Sequence, residues 1–252
     1  AWRAVDAAPG RLPIVFALVH AAAIFSAVYT AHLKDGYVDF YLRGEDDDHP
    51  ITESGCRRAL AGSTLAFFAL LVVLWWQAGP LGAVLTLPTW VIAYGHAPQL
   101  DTNPLTATTG YPAGIALAIV GGYYIQAGSV DPIAVGFGAV FLVLLSGVKV
   151  IDDAQDYDYD RSIAKRTVAV AIGPRQARRF AYGLMIAGMV AVAGLAAIRL
   201  FPPSTVLASL AFGLVALLTR RAGPRLATML LVRGSYVFLA VLVAAVWFRP
   251  LS

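Results

Sequence analysis

The chain has one cysteine, Cys56, among its 252 residues. A single thiol forms no intrachain disulfide and no cysteine metal cluster. Charge is scarce too: Asp, Glu, Lys and Arg make up 13%, about half the ~25% of soluble proteins. The first ten residues, AWRAVDAAPG, have no apolar core of their own and do not read as a signal peptide. No low-complexity tract, obvious repeat or domain boundary interrupts the chain, so residues 1–252 read as a single transmembrane domain. His32, His49 and His96 show no metal-ligand spacing with Cys or with one another. The net charge of +4 follows loop composition and makes no case for nucleic acid.

Apolar residues dominate instead, at 59% of the chain. A hydrocarbon core of ~30 Å takes about 20 apolar residues per helix. Eight windows approach that length, roughly 12–33, 58–78, 80–97, 111–128, 131–151, 176–199, 203–219 and 227–248. The fold class expected is all-α, a polytopic membrane helical bundle. Pro80, Pro132 and Pro203 stand at helix starts, where a missing N–H costs little. Alternating the spans puts 14 of the 19 Lys and Arg residues on one face. Arg3, Arg11, Arg199 and Arg249 fall on the other, and Arg233 lies within the last span. The positive-inside rule makes the rich face cytoplasmic, in a multi-pass cell membrane. Acids carry little topological information, yet all but Asp6 and Asp131 lie on that same face.

The acids gather in two stretches. The first, AHLKDGYVDFYLRGEDDDHPITESGCRR, follows the first span. Asp35 and Asp39 are four apart, on one face of a continuing helix, and Glu45, Asp46, Asp47 and Asp48 come after Gly44. The second, KVIDDAQDYDYDRSIAKRT, runs from Lys149 to Thr167 after the apolar run Pro132 to Val148. If its helix continues, Asp152, Asp156 and Asp160 form a stripe, with Asp158 off that face and solvated and Asp153 open to either role. Like charges at this spacing destabilise a helix, so the stripe calls for cations. Carboxylates suit Mg²⁺, usually held by one or two of them plus substrate phosphates. Two acidic sets at the cytoplasmic ends of spans are expected to share a mouth, bind Mg²⁺-diphosphate and neutralise a leaving group. Lys34, Arg43, Lys165 and Arg166 are the candidate cations for the diphosphate. Solvated loops balancing nearby Lys and Arg are the plain alternative. Tyr94, His96, Gln99, Asp101 and Asn103 either contribute to an acceptor pocket or give ordinary loop polarity. Trp75 and Trp76 fit an interfacial belt. Tyr123 and Tyr124 fit either a belt or a chamber lining.

With these motifs the chain resembles the UbiA superfamily of intramembrane prenyltransferases, whose acidic motifs are approximately NxxxDxxxD and DxxxD. Asp156-Tyr-Asp-Tyr-Asp160 gives DxxxD, and Lys165-Arg166-Thr167 matches the Lys-Arg-Thr run that often follows. Asp152 and Asp153 stand where relatives often carry Asn. In the first motif Asp35 stands where Asn is usual, Asp39 matches the central Asp, and Arg43 occupies the place of the third acid, for which Asp46 is the substitute. That arrangement, and Gly121-Gly-Tyr-Tyr-Ile-Gln-Ala-Gly128, is similar to the menaquinone-type branch, which prenylates dihydroxynaphthoate. Members have nine membrane helices. The resemblance therefore implies that the eight visible here lack the first, and that AWRAVDAAPG is the loop following it.

The resemblance implies a Mg²⁺-dependent prenyltransferase acting within the membrane, with Mg²⁺ as cofactor. Its partners would be a prenyl diphosphate, an electron-rich aromatic quinone precursor as acceptor, and membrane lipid. Asp35, Asp39 and Asp46 would hold one Mg²⁺, and Asp152, Asp156 and Asp160 the other. Asp39, Asp156 and Asp160 would be catalytic. Lys34, Arg43, Tyr94, Asp153, Lys165 and Arg166 would bind substrate. Other acceptors, such as a chlorophyllide, haem, a glycerol ether lipid or a carotenoid, fit the same chemistry. Asp152-Asp153-Ala-Gln-Asp156 also spells the DDxxD of soluble isoprenyl diphosphate synthases, but the membrane composition argues against that fold. A divalent-cation transporter should carry acids near the bilayer midplane; here the span interiors carry none.

Overall fold

The computed structural model describes residues 13–44 and 50–250. Every regular element among them is helical. α1 is Pro13–Gly36 and passes into a π-helical segment, Tyr37–Arg43. α2 is Glu53–Ala78, α3 Pro80–Gly95, α4 Pro104–Ala127 and α5 Pro132–Asp153. Two short helices follow, α6 (Tyr157–Ser162) and α7 (Val168–Ile172). α8 is Pro174–Ala197, α9 Val206–Thr219 and α10 Pro224–Phe248.

Helix starts follow local chemistry. Thr52 accepts the N–H of Gly55 at 3.2 Å, and Asn103 accepts that of Leu105 at 2.8 Å. Asp131 accepts that of Ile133 at 2.6 Å. Pro80, Pro174 and Pro224 fill first-turn positions. α4 begins well before the expected 111 because Asn103 and Pro104 start it and Pro112 is tolerated inside it. Such a proline survives in a membrane helix when neighbours satisfy the freed carbonyl.

Five helical stretches are long and apolar enough to cross a membrane: Ile14–Arg43, Glu53–Ala78, Pro132–Asp153, Pro174–Ala197 and Pro224–Phe248. The sequence led to eight. Each of the other three windows does hold a helix, but α3 has 16 residues, about 24 Å at 1.5 Å per residue. The apolar segment Pro203–Thr219 is likewise short. The chain is an all-helical integral membrane protein in either count. Within its most apolar window α5 is 61% buried, against 17–33% in the other four long stretches. The helix leading into the second acidic stretch therefore has the most buried window of the five, and the other four leave most of theirs uncovered.

The chain divides into two compact units. One takes in residues 1–102 and 113–138, the other 103–112 and 139–252, so α4 and α5 each contribute to both. In the first, α1 packs on α2 and α3 around Ala23, Ala27, Phe67, Leu74, Ala93 and Ile125. Thr30 Oγ1 and Ser63 Oγ lie 2.9 Å apart across α1 and α2. In the second, α9 packs on α8 and α10. Gly147 lets α5 meet α8 so closely that a Cβ there would lie 2.6 Å from the Ala181 carbonyl oxygen. Small residues at such crossings substitute tight packing for the hydrophobic drive that lipid does not supply.

Candidate functional site

In the first unit, α1 carries Lys34 and Asp35 in its last turn and then widens at Tyr37. The change of helix type replaces the single α-helical face expected for Asp35 and Asp39. Gly44 ends the segment in the left-handed region at φ 65°, donating its N–H to the Asp39 carbonyl. Val38 is buried beneath the segment. Tyr41 donates to the Ile51 carbonyl at 2.5 Å and Tyr37 to Glu53 at 3.2 Å, which ties the segment to the start of α2. Asp46 lies outside the described residues, as do Glu45, Asp47, Asp48 and His49.

Arg43, expected as a diphosphate-binding cation, sits between two carboxylates. Its Nη1 donates to Asp39 Oδ1 at 3.0 Å and its Nη2 to Asp101 Oδ2 at 3.2 Å. Asp101 is 5% exposed and lies in the 3₁₀ turn Leu100–Thr102. Lys34 Nζ lies 4.8 Å from the ring centroid of Tyr94, which stacks on Trp90. Lys34 and Tyr94 are thus brought together, as a cation over an aromatic face.

In the second unit, α5 stops at Asp153 and does not continue. Ala154 still bonds back to Val150 at 3.2 Å, but Gln155 closes a tighter turn onto Asp152 at 3.0 Å. Gln155 Nε2 also reaches Thr228 Oγ1 at 2.5 Å, 73 residues away on α10. Asp156 precedes α6, and Asp160 falls inside it. The expected stripe of Asp152, Asp156 and Asp160 on one continuing helix is therefore corrected: the three occupy a helix end, a turn and a second helix. Asp152 is half-exposed, Asp156 and Asp158 are exposed, and Asp160 is 1% exposed.

Two ammoniums meet these acids. Lys149 Nζ is 2.5 Å from Asp153 Oδ1 and 3.3 Å from Asp152 Oδ2. Lys165 Nζ is 3.4 Å from Asp160 Oδ1. Ala164, in the left-handed region at φ 59°, turns the chain so that the Lys165 N–H reaches the Asp160 carbonyl at 2.9 Å. Thr167 caps α7 by accepting the N–H of Val170 at 3.3 Å, and Arg166 is exposed beside it. Burial pushes the Asp160 carboxyl above its ordinary value; Lys165 pulls the other way, and Asp156 adds to the rise.

Asp153 Oδ2 and Asp160 Oδ2 are buried without a hydrogen-bond partner among the described residues, while Asp160 Oδ1 faces the Lys165 ammonium at 3.4 Å. A carboxylate oxygen stripped of water and given no donor is costly, and a divalent cation is the partner that suits it. No three His, Cys, Asp or Glu side chains among the described residues converge as a ready-made metal cage. That fits an ion held by one or two carboxylates together with substrate oxygens.

Two residues matter more than the sequence suggested. Lys149 is three and four residues from Asp152 and Asp153, the helical spacing at which side chains meet. Asp101 was one polar loop residue among several. Its pairing with Arg43 spans 58 positions and leaves no local signal.

The family model described as the UbiA prenyltransferase family matches residues 50–242. No curated protein and no solved structure matches the chain.

Proposed function

The chain belongs to the UbiA prenyltransferase family and is a prenyltransferase; on that premise we propose that it transfers a prenyl group from an allylic diphosphate to an aromatic quinone precursor, with Mg²⁺, at the cytoplasmic face of a cell membrane. The observation that carries this is the second acidic stretch. One oxygen each of Asp153 and Asp160 is buried there without a donor, while the other faces an ammonium, and the Lys165-Arg166-Thr167 run follows.

Asp152, Asp156 and Asp160 would supply the acids of one Mg²⁺ site, one or two of them meeting the ion and substrate oxygens completing its shell, and Asp35 and Asp39, with Asp46, those of the other. Held there, Mg²⁺ would supply charge neutralisation for the diphosphate leaving group. Lys165 and Arg166 bind diphosphate oxygens from the second stretch, and Lys34 from the first. Asp153 contributes through the Lys149 ammonium it holds. The electron pair of the broken allylic C–O bond leaves with the diphosphate, and the cation forms among apolar helices that exclude water. The acceptor ring attacks that carbon, a C–C bond forms, and the ring proton passes to a nearby carboxylate. Tyr94, which stacks on Trp90, would contribute an aromatic surface to the acceptor pocket. The similarity of Gly121–Gly128 to the menaquinone-type branch supports a dihydroxynaphthoate-like acceptor. The Lys and Arg distribution supports the cytoplasmic orientation.

A transporter reading finds no support, because the described acids stand at helix ends and in turns. The test is incubation of membranes holding this protein with labelled geranylgeranyl diphosphate, Mg²⁺ and a panel of acceptors, with product masses read out. A prenylated aromatic product is expected, and Asp156→Ala or Asp39→Ala should abolish diphosphate release. Full activity in either variant refutes the assignment of the site.

A further inference from the structure

The first acidic motif has a cation where its third acid is expected, and that cation has a buried partner. Arg43 touches both Asp39 and a second carboxylate, Asp101. Its side chain is 15% exposed, that of Asp39 21% and that of Asp101 7%. A guanidinium this enclosed is immobilised from two sides, because its planar fork sends one N–H to each carboxylate. The Asp39 side chain is oriented in turn. We propose that Asp101 is a positioning residue for this reaction: it fixes the Arg43 guanidinium, and Arg43 fixes the Asp39 carboxylate in the direction in which it meets the cation and diphosphate. The inference rests on the reading above, in which Asp39 belongs to the diphosphate site.

The backbone supports this assignment. Asp39 and Arg43 lie in the π-helical segment, closed by the left-handed Gly44. π-helical turns are rare departures from α geometry that set side chains in new register. Asp101 arrives separately, on a 3₁₀ turn of three residues between α3 and α4. A mobile surface ion pair would need neither the burial of Asp101 nor a geometry that reaches two acids at once. The Asp101–Arg43–Asp39 chain has the form of an outer-shell support, in which one residue orients the group that meets the ion.

The test uses the full-length protein in detergent, with Mn²⁺ as a spectroscopic probe that shares carboxylate chemistry with Mg²⁺ and inorganic diphosphate as the anion. Mn²⁺ affinity is read by electron paramagnetic resonance, and thermal unfolding is followed on the same samples. Asp101→Asn removes the anchor and should weaken Mn²⁺ binding about tenfold, the size typical of outer-shell losses. Arg43→Lys keeps the charge but loses the fork, and should weaken it similarly. Asp101→Glu keeps the anchor and should stay near the wild-type affinity. Asp101→Asn at wild-type affinity overturns the proposal, as does loss in Asp101→Asn with none in Arg43→Lys, which would show a field effect only. Lowered thermal stability with unchanged Mn²⁺ affinity overturns it in favour of a structural role. A wild-type protein that transfers no prenyl group and binds no Mn²⁺ refutes the functional reading itself; a wild type that does both, beside an indifferent Asp101→Asn, refutes only the inference.

Discussion

Replacing Lys149 by Met removes an ammonium and leaves the buried Asp153 without its partner. The two charges are 2.5 Å apart. At an effective dielectric of 20 their gross attraction is about 7 kcal/mol. Desolvation costs several kcal/mol for each ion, so the intact pair comes out near neutral against apolar residues of the same shape. The unbalanced state is the expensive one. The Asp153 side chain is 2% exposed, and one of its oxygens already has no hydrogen-bond partner. Asp152, the other acid touching Lys149, is 44% exposed and keeps its own water. Lys149→Met should therefore cost about 3–5 kcal/mol, the range for breaking one side of a buried pair. Lys149→Met with Asp153→Asn removes both charges and should recover at least half of that loss. The assay is reversible unfolding in mixed micelles with increasing dodecyl sulfate, comparing wild type, both single variants and the double variant as a cycle. A single variant within about 0.5 kcal/mol of wild type would refute the reasoning. So would a double variant no more stable than Lys149→Met.

Two further outcomes follow from the second unit. Gly147→Val should destabilise by at least about 1–3 kcal/mol, because the Ala181 carbonyl and Met185 backbone leave no room for a side chain; Gly183→Ala, which meets nothing within 4 Å, is the matched control in the same unfolding assay. Asp160 has its folded-state acidity shifted upward from an ordinary 3.8. The fold favours its protonated form, so stability is present at low pH and is lost as pH rises from 3.8 through the folded value. In metal-free protein Asp160→Asn should flatten that decline, read as unfolding temperature against pH, and an unchanged pH slope would show that Asp160 does not cause it.

The helices were legible because lipid demands long apolar runs and proline and asparagine mark their starts. Pro80 and Pro132 do begin α3 and α5, and Trp76 stands 87% exposed at the end of α2 as a belt residue would. Asp158 is exposed as expected, but so is Asp156, which the stripe would have grouped with the buried Asp160. The stripe itself was not legible. Helical periodicity assumes that the helix goes on, and what ends α5 includes Gln155 bonding to Thr228, far along the chain. Asp160 likewise is buried in a separate short helix, and the left-handed Ala164 precedes the Lys165 that meets it. Arg43 carried a visible anomaly, a base where an acid was expected, but its resolution lay with Asp101 in another loop. Spacing rules read one helix at a time, and both surprises join separate elements.

The hydroxyls of Thr30 and Ser63 bear on how such a protein is made. Each has a carbonyl of its own helix in reach, Ser26 at 2.8 Å for Thr30 and Leu60 at 3.1 Å for Ser63. Either hydroxyl can therefore enter the bilayer with its own helix without being carried as an unsatisfied donor through hydrocarbon. Once both are inserted, the same hydroxyls lie 2.9 Å from one another, and trading one acceptor for another demands no dehydration. Biogenesis of this hairpin then needs no concerted insertion: α1 can wait in the membrane for α2 to be synthesised and zip against it afterwards.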